Sequence, residues 1–230
     1  MVRISNSRST GRSGASGANQ RHNGSRVARR YDSRRLEILS AAARAFRERG
    51  FAQTGMREIA AVADLSPANL YHYFEGKQEL LYFCQEASLE RLLAALDAAK
   101  RARQPAAARL QAVIEAHVRC VLGEMEGASA HLEVDDLPPA LRRRIVGRRD
   151  RYERGIRSII AAGIKSREFT PADPKLVTRA ILGSLNWTVR WYRPDGPQTP
   201  SQVGAAFAAY LVRGLIRTPA RASRNGRRAA

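Results

Sequence analysis

Cysteine is nearly absent: the 230 residues hold two, Cys84 and Cys120, set far apart within helical patterns. They form neither a metal-ligand spacing nor a disulfide framework, which fits a reducing compartment. No apolar run approaches the roughly 18 residues of a membrane span. The N-terminus is basic but has no apolar stretch of the kind a secretory signal needs. A cytoplasmic chain without a membrane partner is therefore expected. Alternating β-branched runs are missing, so the expected fold class is all-α. Gly-x-Ser-x-Gly, a Gly-rich phosphate loop and metal-ligand spacings are missing as well, and an enzyme, a metal site or a cofactor is not expected. His131-Leu132-Glu133 has no cysteine pair to complete a metal set.

Acidic residues are also scarce, 21 against 40 Lys and Arg, for a formal net charge of +19. Such an excess points to a polyanion: nucleic acid or an anionic surface. Its placement tempers that inference. Residues 1–35 carry nine Arg and one Asp, and residues 213–230 carry six Arg and no acid, so only +5 belongs to the stretch between. Residues 1–30, rich in Ser, Gly, Asn and Arg, read as a flexible basic arm, and residues 218–230 as a disordered basic tail.

Between these ends the apolar period is helical throughout. Leu36, Leu39, Ala43 and Phe46 step by three and four toward Gly50, a stop signal. Met56, Ile59, Ala60 and Ala63 form a short second stripe. Ser66-Pro67 supplies a cap and a proline for the first position of a third helix ending near Phe74. Longer helices are expected over 77–100, 106–126, 138–165, 174–192 and 200–217. A short helix or loop over 127–137 carries Glu133, Asp135 and Asp136.

Two short helices around a tight turn at Asp64-Leu65-Ser66 have the layout of a helix-turn-helix. Ile59, Ala60, Ala63, Leu65, Leu70 and Phe74 would lock them together. Pro67, Ala68, Tyr71 and His72 are left on the outer face, where Asn, Tyr and His suit base edges and phosphates better than a merely solvated face would require.

The run from Gly50 to Ala60, followed by Ala63-Asp64-Leu65-Ser66-Pro67-Ala68-Asn69-Leu70-Tyr71-His72-Tyr73-Phe74, Lys77 and Leu80, resembles the DNA-binding domain of the tetracycline-repressor (TetR) family. The resemblance covers about residues 34–80. It implies a DNA-binding domain over 31–80, an effector-binding and dimerisation domain over 81–217, and these roles. Ser66 would cap the recognition helix, and Pro67, Ala68 and Asn69 would face base edges. Tyr71, His72, Tyr73, Lys77 and Arg57 would lie at phosphates. Arg29 and Arg30 would reach the minor groove as an arm. For Tyr73 simple ring packing remains an alternative, as does solvent for Arg57 and His72. Two departures stand out. Asp64 replaces the usual turn glycine, although Asp tolerates the left-handed conformation better than most residues. Gly55 stands where a capping hydroxyl is common, with Thr54 as the substitute.

Leu137-Pro138-Pro139, then Arg148 to Arg154, then Leu182 to Pro194, resemble a TetR subgroup responsive to acyl-coenzyme A thioesters, to which regulators of fatty-acid and sterol-ring degradation belong. Leu141, Ile145, Tyr152, Ile156 and Ile159 mark one apolar face of helix 138–165. The rest of that helix carries eight Arg between Arg142 and Arg157, a group suited to pyrophosphate or to plain solvent exposure. Arg149, Tyr152, Asn186, Trp187, Arg190, Trp191, His117 and His131 are the candidate effector contacts. The tryptophan pair flanking Arg190 could equally be interface packing, and each histidine a satisfied helix residue. Homodimerisation is expected through the last two helices: Ala180, Gly183 and Ser184 allow close approach, and Val203, Phe207, Tyr210 and Gly214 form a stripe. The expected function is a repressor released from operator DNA by a small molecule, with an acyl-CoA thioester as effector. Regulation of an efflux gene by a drug-like ligand, an activator, or ligand-independent binding stay open.

Overall fold

A computed structural model describes residues 15–124 and 134–217. Within them the chain is helical, and the extended pairing among these residues is one isolated antiparallel bridge between Phe169 and Ile216. The helices are α1 (Ala15–Arg49), α2 (Met56–Val62), α3 (Pro67–Tyr71), α4 (Lys77–Arg101), α5 (Ala106–Arg119), α6 (Pro139–Lys165), α7 (Pro174–Trp191) and α8 (Pro200–Arg213).

The first helix begins well before the point the composition suggests. Residues 15–30, expected as part of a flexible arm, lie in α1, and Arg30 is an exposed residue of that helix. The buried face of α1 is Ile38, Leu39, Ala42 and Phe46, while Leu36, expected on it, is exposed. Gly50 ends the helix with φ +80°, and its N–H donates to the Phe46 carbonyl at 2.8 Å. Only glycine takes that backbone state readily.

Helix α4 serves both halves of the molecule. Its first turns bury Leu80, Leu81 and Cys84, and its later turns bury Leu89, Leu92, Leu93 and Leu96. It packs on α1 at one end and on α5 and α6 along the rest. Gly155 of α6 faces Leu96 so closely that a Cβ would overlap its side chain. Helix α5 starts on a carboxylate: Glu168 accepts from the Ala106 and Ala107 N–H groups, both at 2.7 Å, satisfying two of the free amides at that helix end. The α-helical part of α5 stops at Arg119 and continues as one π-helical turn over Cys120–Glu124, in place of the α-helix expected over those residues.

Helix α8 lies along α5. Val203, expected in a dimer stripe, is buried within the protomer, and Gly204 brings α8 against Glu115 and Val118 of α5. The helix ends at Arg213, four residues short of the expected limit. The α6 stripe of Ile145, Tyr152, Ile156 and Ile159 is buried as its spacing predicts.

Candidate DNA-reading head and effector cavity

The head is built from α1, α2, α3 and the start of α4. Ile59, Ala60, Leu70 and Phe74 are buried, with Ala63 and Leu65 packed against them. The turn ends α2 in a Schellman arrangement. The Leu65 N–H donates to the Ala60 carbonyl at 2.9 Å and the Asp64 N–H to the Ala61 carbonyl at 3.2 Å. Asp64 sits between them at φ 52°, the left-handed state expected of a residue in the glycine position. Ser66 then caps α3 by accepting from the Asn69 N–H at 3.2 Å.

With Leu70 turned inward, Ser66, Pro67, Ala68, Asn69, Tyr71 and His72 are exposed, and so is Arg57 of α2. These side chains expected to reach DNA are thus accessible to solvent. Tyr73 is half-buried, and its ring stacks on Tyr31 with centroids 5.0 Å apart, so its aromatic body braces α1.

Two expected contacts have other partners. Thr54 is buried, and its hydroxyl donates to the Gly50 carbonyl at 2.8 Å, with the Ala45 carbonyl also within reach at 3.2 Å. It closes the end of α1 and is no surface substitute for a cap. The cap function at Gly55 falls to Glu58, which accepts from the Gly55 N–H at 2.8 Å and pairs with Arg49 at 2.6 Å. Lys77 Nζ donates to the Phe51 carbonyl at 2.8 Å and lies 4.3 Å from the Phe51 ring centroid. At least part of its role is thus to hold the α1–α2 connection on α4. Sequence reasoning missed Arg34 and Arg35. The Arg34 guanidinium binds the turn carbonyls of Ala63 and Asp64. That of Arg35 lies 4.9 Å from the Phe74 ring centroid and 4.4 Å from that of Phe83. Their spacing looks like ordinary arm charge, and only the packed head shows their targets.

Further along, a cavity of about 180 Å³ opens between α4, α5, α6 and α7. Leu89, Leu92, Val121 and Leu182 supply apolar wall, and His117, Arg149, Asp150, Tyr152, Glu153 and Asn186 the polar part. Four of the expected effector contacts, His117, Arg149, Tyr152 and Asn186, thus come together. His117 joins two of the others: Nδ1 is 3.2 Å from the Tyr152 hydroxyl and Nε2 is 3.2 Å from Asn186 Oδ1. Burial lowers its pKa from 6.5 to about 4, so the imidazole is neutral near pH 7. Asn186 Oδ1 needs a donor, which assigns the ring proton to Nε2 and makes Nδ1 the acceptor of the Tyr152 hydroxyl. Burial also raises the Tyr152 pKa.

Trp187, Arg190 and Trp191 do not line this cavity. All three are exposed on the protomer, Trp187 by 64%, and Trp191 stacks on Phe207 of α8 with ring centroids 6.1 Å apart. With Leu176 at 63% and Tyr210 at 77% they form an uncovered apolar face on α7 and α8. The three-and-four spacing that suggested a pocket marks an outer stripe instead, because Ile181, Leu185 and Thr188 take the inward side. His131 lies outside the described residues. The arginines of α6 are largely engaged: Arg148 pairs with Glu86 and Arg151 with Asp97, each at 3.0 Å, and Arg149 donates to Gln85 Oε1 at 3.1 Å. The expectation of a broad phosphate-binding face on α6 narrows accordingly to its pocket-lining member Arg149 and to exposed positions such as Arg143 and Arg154.

A helix-turn-helix head joined by one long helix to a helical domain with an internal cavity defines a one-component regulator of transcription. Comparison with known proteins specifies it. Residues 38–82 match the family model for bacterial regulatory proteins of the tetR family, and residues 103–215 match that of a tetracyclin repressor-like C-terminal domain. The chain belongs to the TetR family. It is 32% identical over 197 residues to the HTH-type transcriptional repressor KstR2 of Mycobacterium tuberculosis, covering 84% of this chain and 98% of the relative. It is also similar to the solved TetR family regulator PfmR from Thermus thermophilus, with TM-score 0.71 and 35% identity over 78% of this chain and 99% of the other. The solved structure of AibR in complex with isovaleryl coenzyme A and operator DNA matches with TM-score 0.69 and 25% identity, over 80% of this chain and all of that one.

Proposed function

We propose that the protein is a dimeric repressor that leaves its operator when a compact acyl-coenzyme A thioester enters the cavity between α4, α5, α6 and α7. The observation that carries this reading is the cavity itself, with its apolar wall and its Tyr152–His117–Asn186 chain. An engineered cavity of about 150 Å³ holds one benzene ring, so about 180 Å³ suits a short branched or single-ring acyl group. The adenosine and phosphate parts of coenzyme A would lie outside the cavity, toward the arginines of α6. AibR, solved with isovaleryl coenzyme A, supports the same ligand class.

Operator reading is assigned to the exposed face of α3. Ala68 would meet a thymine methyl, Asn69 an adenine edge, and Tyr71 and His72 the backbone, with Arg57 on a phosphate. One five-residue helix reads too little sequence alone, so two heads must be coupled at a fixed spacing. The uncovered face bearing Trp187, Trp191 and Tyr210 supplies the surface for that coupling, through a four-helix bundle of α7, α8 and their symmetry mates. Effector binding then acts through α4. The Arg149–Gln85 and Arg148–Glu86 contacts tie the cavity side of α6 to the segment of α4 that follows the head. A thioester that draws Arg149 away would shift α4 and favour a spacing of the heads that no longer fits DNA.

The test is a fluorescence-anisotropy titration with DNA from the promoter beside the protein's own gene, repeated with isovaleryl-, octanoyl- and cyclohexanecarbonyl-CoA and with free coenzyme A. Release by a compact thioester and not by free coenzyme A is expected. Release only by apolar compounds lacking coenzyme A would replace the thioester assignment, and release by none of them would remove it.

A further inference from the structure

The turn that aims the reading helix has no glycine. Asp64 has φ 52°, a state that glycine enters freely and that Asp tolerates better than most residues but still at a cost relative to glycine. The helix it aims is only five residues long and buries Leu70 alone, so α3 has few contacts of its own to set its direction.

Arg34 reaches this turn from α1. Its Nη2 donates to the Ala63 carbonyl at 3.1 Å and to the Asp64 carbonyl at 3.4 Å. Its Nη1 pairs with Glu37, one helical turn along, at 2.6 Å, which fixes the plane of the guanidinium. The two carbonyls belong to the last residue of the α2 end and to the left-handed residue itself. They lie where the α2 dipole is negative and a cation is favoured. A guanidinium can address both Glu37 and the turn because its donors form a rigid fork, whereas an ammonium is a point charge.

We propose that Arg34 is a positioning residue for operator recognition: it holds the Asp64 turn in its left-handed form and so sets the angle at which α3 meets the groove. It acts through the turn and makes no contact with DNA. The inference rests on α3 being the reading helix.

The experiment uses the full chain with Arg34→Gln, Arg34→Lys, Asp64→Gly and the Arg34→Gln/Asp64→Gly pair. Operator affinity is measured by anisotropy at several salt concentrations, and hydrogen exchange is followed at the Asp64 and Leu65 amides. Arg34→Gln and Arg34→Lys should each weaken binding about tenfold, the scale of a lost charge-assisted hydrogen bond, with the salt slope unchanged. Asp64→Gly alone should stay near wild type, and in the pair it should restore affinity to within about threefold, because glycine holds the turn without help. The two amides should exchange faster in the Arg34 variants and regain protection in the pair. A salt slope lowered by about one unit would make Arg34 a phosphate ligand. Failure of glycine to rescue would make it a general packing residue, and either result overturns the proposal. If the wild-type chain shows no sequence-specific binding, the assignment of α3 falls instead, and the exchange rates alone decide whether Arg34 holds the turn.

Discussion

Acid should loosen this protein through a single imidazole. His117 is buried and hydrogen-bonded on both ring nitrogens, and burial lowers its pKa from 6.5 to about 4. The folded chain therefore holds it neutral at pH values where the unfolded chain has already protonated it. Its contribution is fully present above pH 6.5, is lost as pH falls from 6.5 to about 4, and is constant below that. One unit of difference is worth about 1.36 kcal/mol. The shift from 6.5 to about 4 thus amounts to a loss of about 2 kcal/mol by pH 5 and up to about 3 kcal/mol in full. Urea unfolding of the wild type and of His117→Gln, at one protomer concentration, would be compared at pH 7.5 and pH 5. The variant should be less stable by about 1–2 kcal/mol at pH 7.5, having lost well-placed hydrogen bonds. That gap should vanish or reverse slightly at pH 5, where the wild type has lost about 2 kcal/mol and glutamine does not titrate. A gap that stays constant or widens on acidification would mean instead that the imidazole takes its proton in the folded chain as readily as in the unfolded one.

Three further outcomes are expected. Gly163→Ala places a Cβ in overlap with the Phe169 ring and 2.9 Å from the Ala106 Cβ; calorimetry should show a loss of about 1–3 kcal/mol, and an unchanged melting temperature would show that α6 is not pinned there. Thr54→Val removes a buried hydroxyl with a carbonyl partner, and should cost about 1–2 kcal/mol of stability while leaving the salt slope of DNA binding unchanged; a lower slope would return Thr54 to the DNA contacts. Gln85→Leu breaks the bond between α4 and Arg149. It should weaken operator binding in the absence of effector and tighten effector binding, as a shift toward the DNA-free form does in a two-state equilibrium, whereas equal affinities for both ligands in variant and wild type would remove this contact from the coupling route.

The head was largely legible in the sequence because its determinants are local. Ser66 followed by Pro67, an inward Leu70 and Phe74, and an outward Asn69 and Tyr71 are set by helical periodicity and capping chemistry, and the structure keeps them so. Asp64 was readable as a left-handed residue for the same reason. Residues whose roles depend on another element were not readable. Lys77, Arg34 and Arg35 engage groups that are distant along the chain, Thr54 turns inward onto the end of α1, and a polar residue beside a motif looks like a ligand contact until the fold supplies its partner. The cavity shows the same division. His117, Tyr152 and Asn186 meet only because α5, α6 and α7 converge. Trp187 and Trp191 share a face by spacing, yet spacing alone does not say whether that face points inward or to a partner. The start of α1 at Ala15 was missed because Ser, Gly and Asn lower helix propensity without forbidding the helix.

The central claim is that the exposed side of α3 reads base pairs. It is tested most directly by titrating wild type, Asn69→Ala and Tyr71→Ala against the own-promoter fragment and against a scrambled fragment of the same length and salt. Asn69→Ala should weaken the promoter complex about tenfold or more and leave the scrambled complex unchanged, since it removes a base contact, whereas Tyr71→Ala should weaken both complexes by a similar factor, since it removes a backbone contact. Equal affinity of all three proteins for the promoter, with no preference over scrambled DNA, would contradict it.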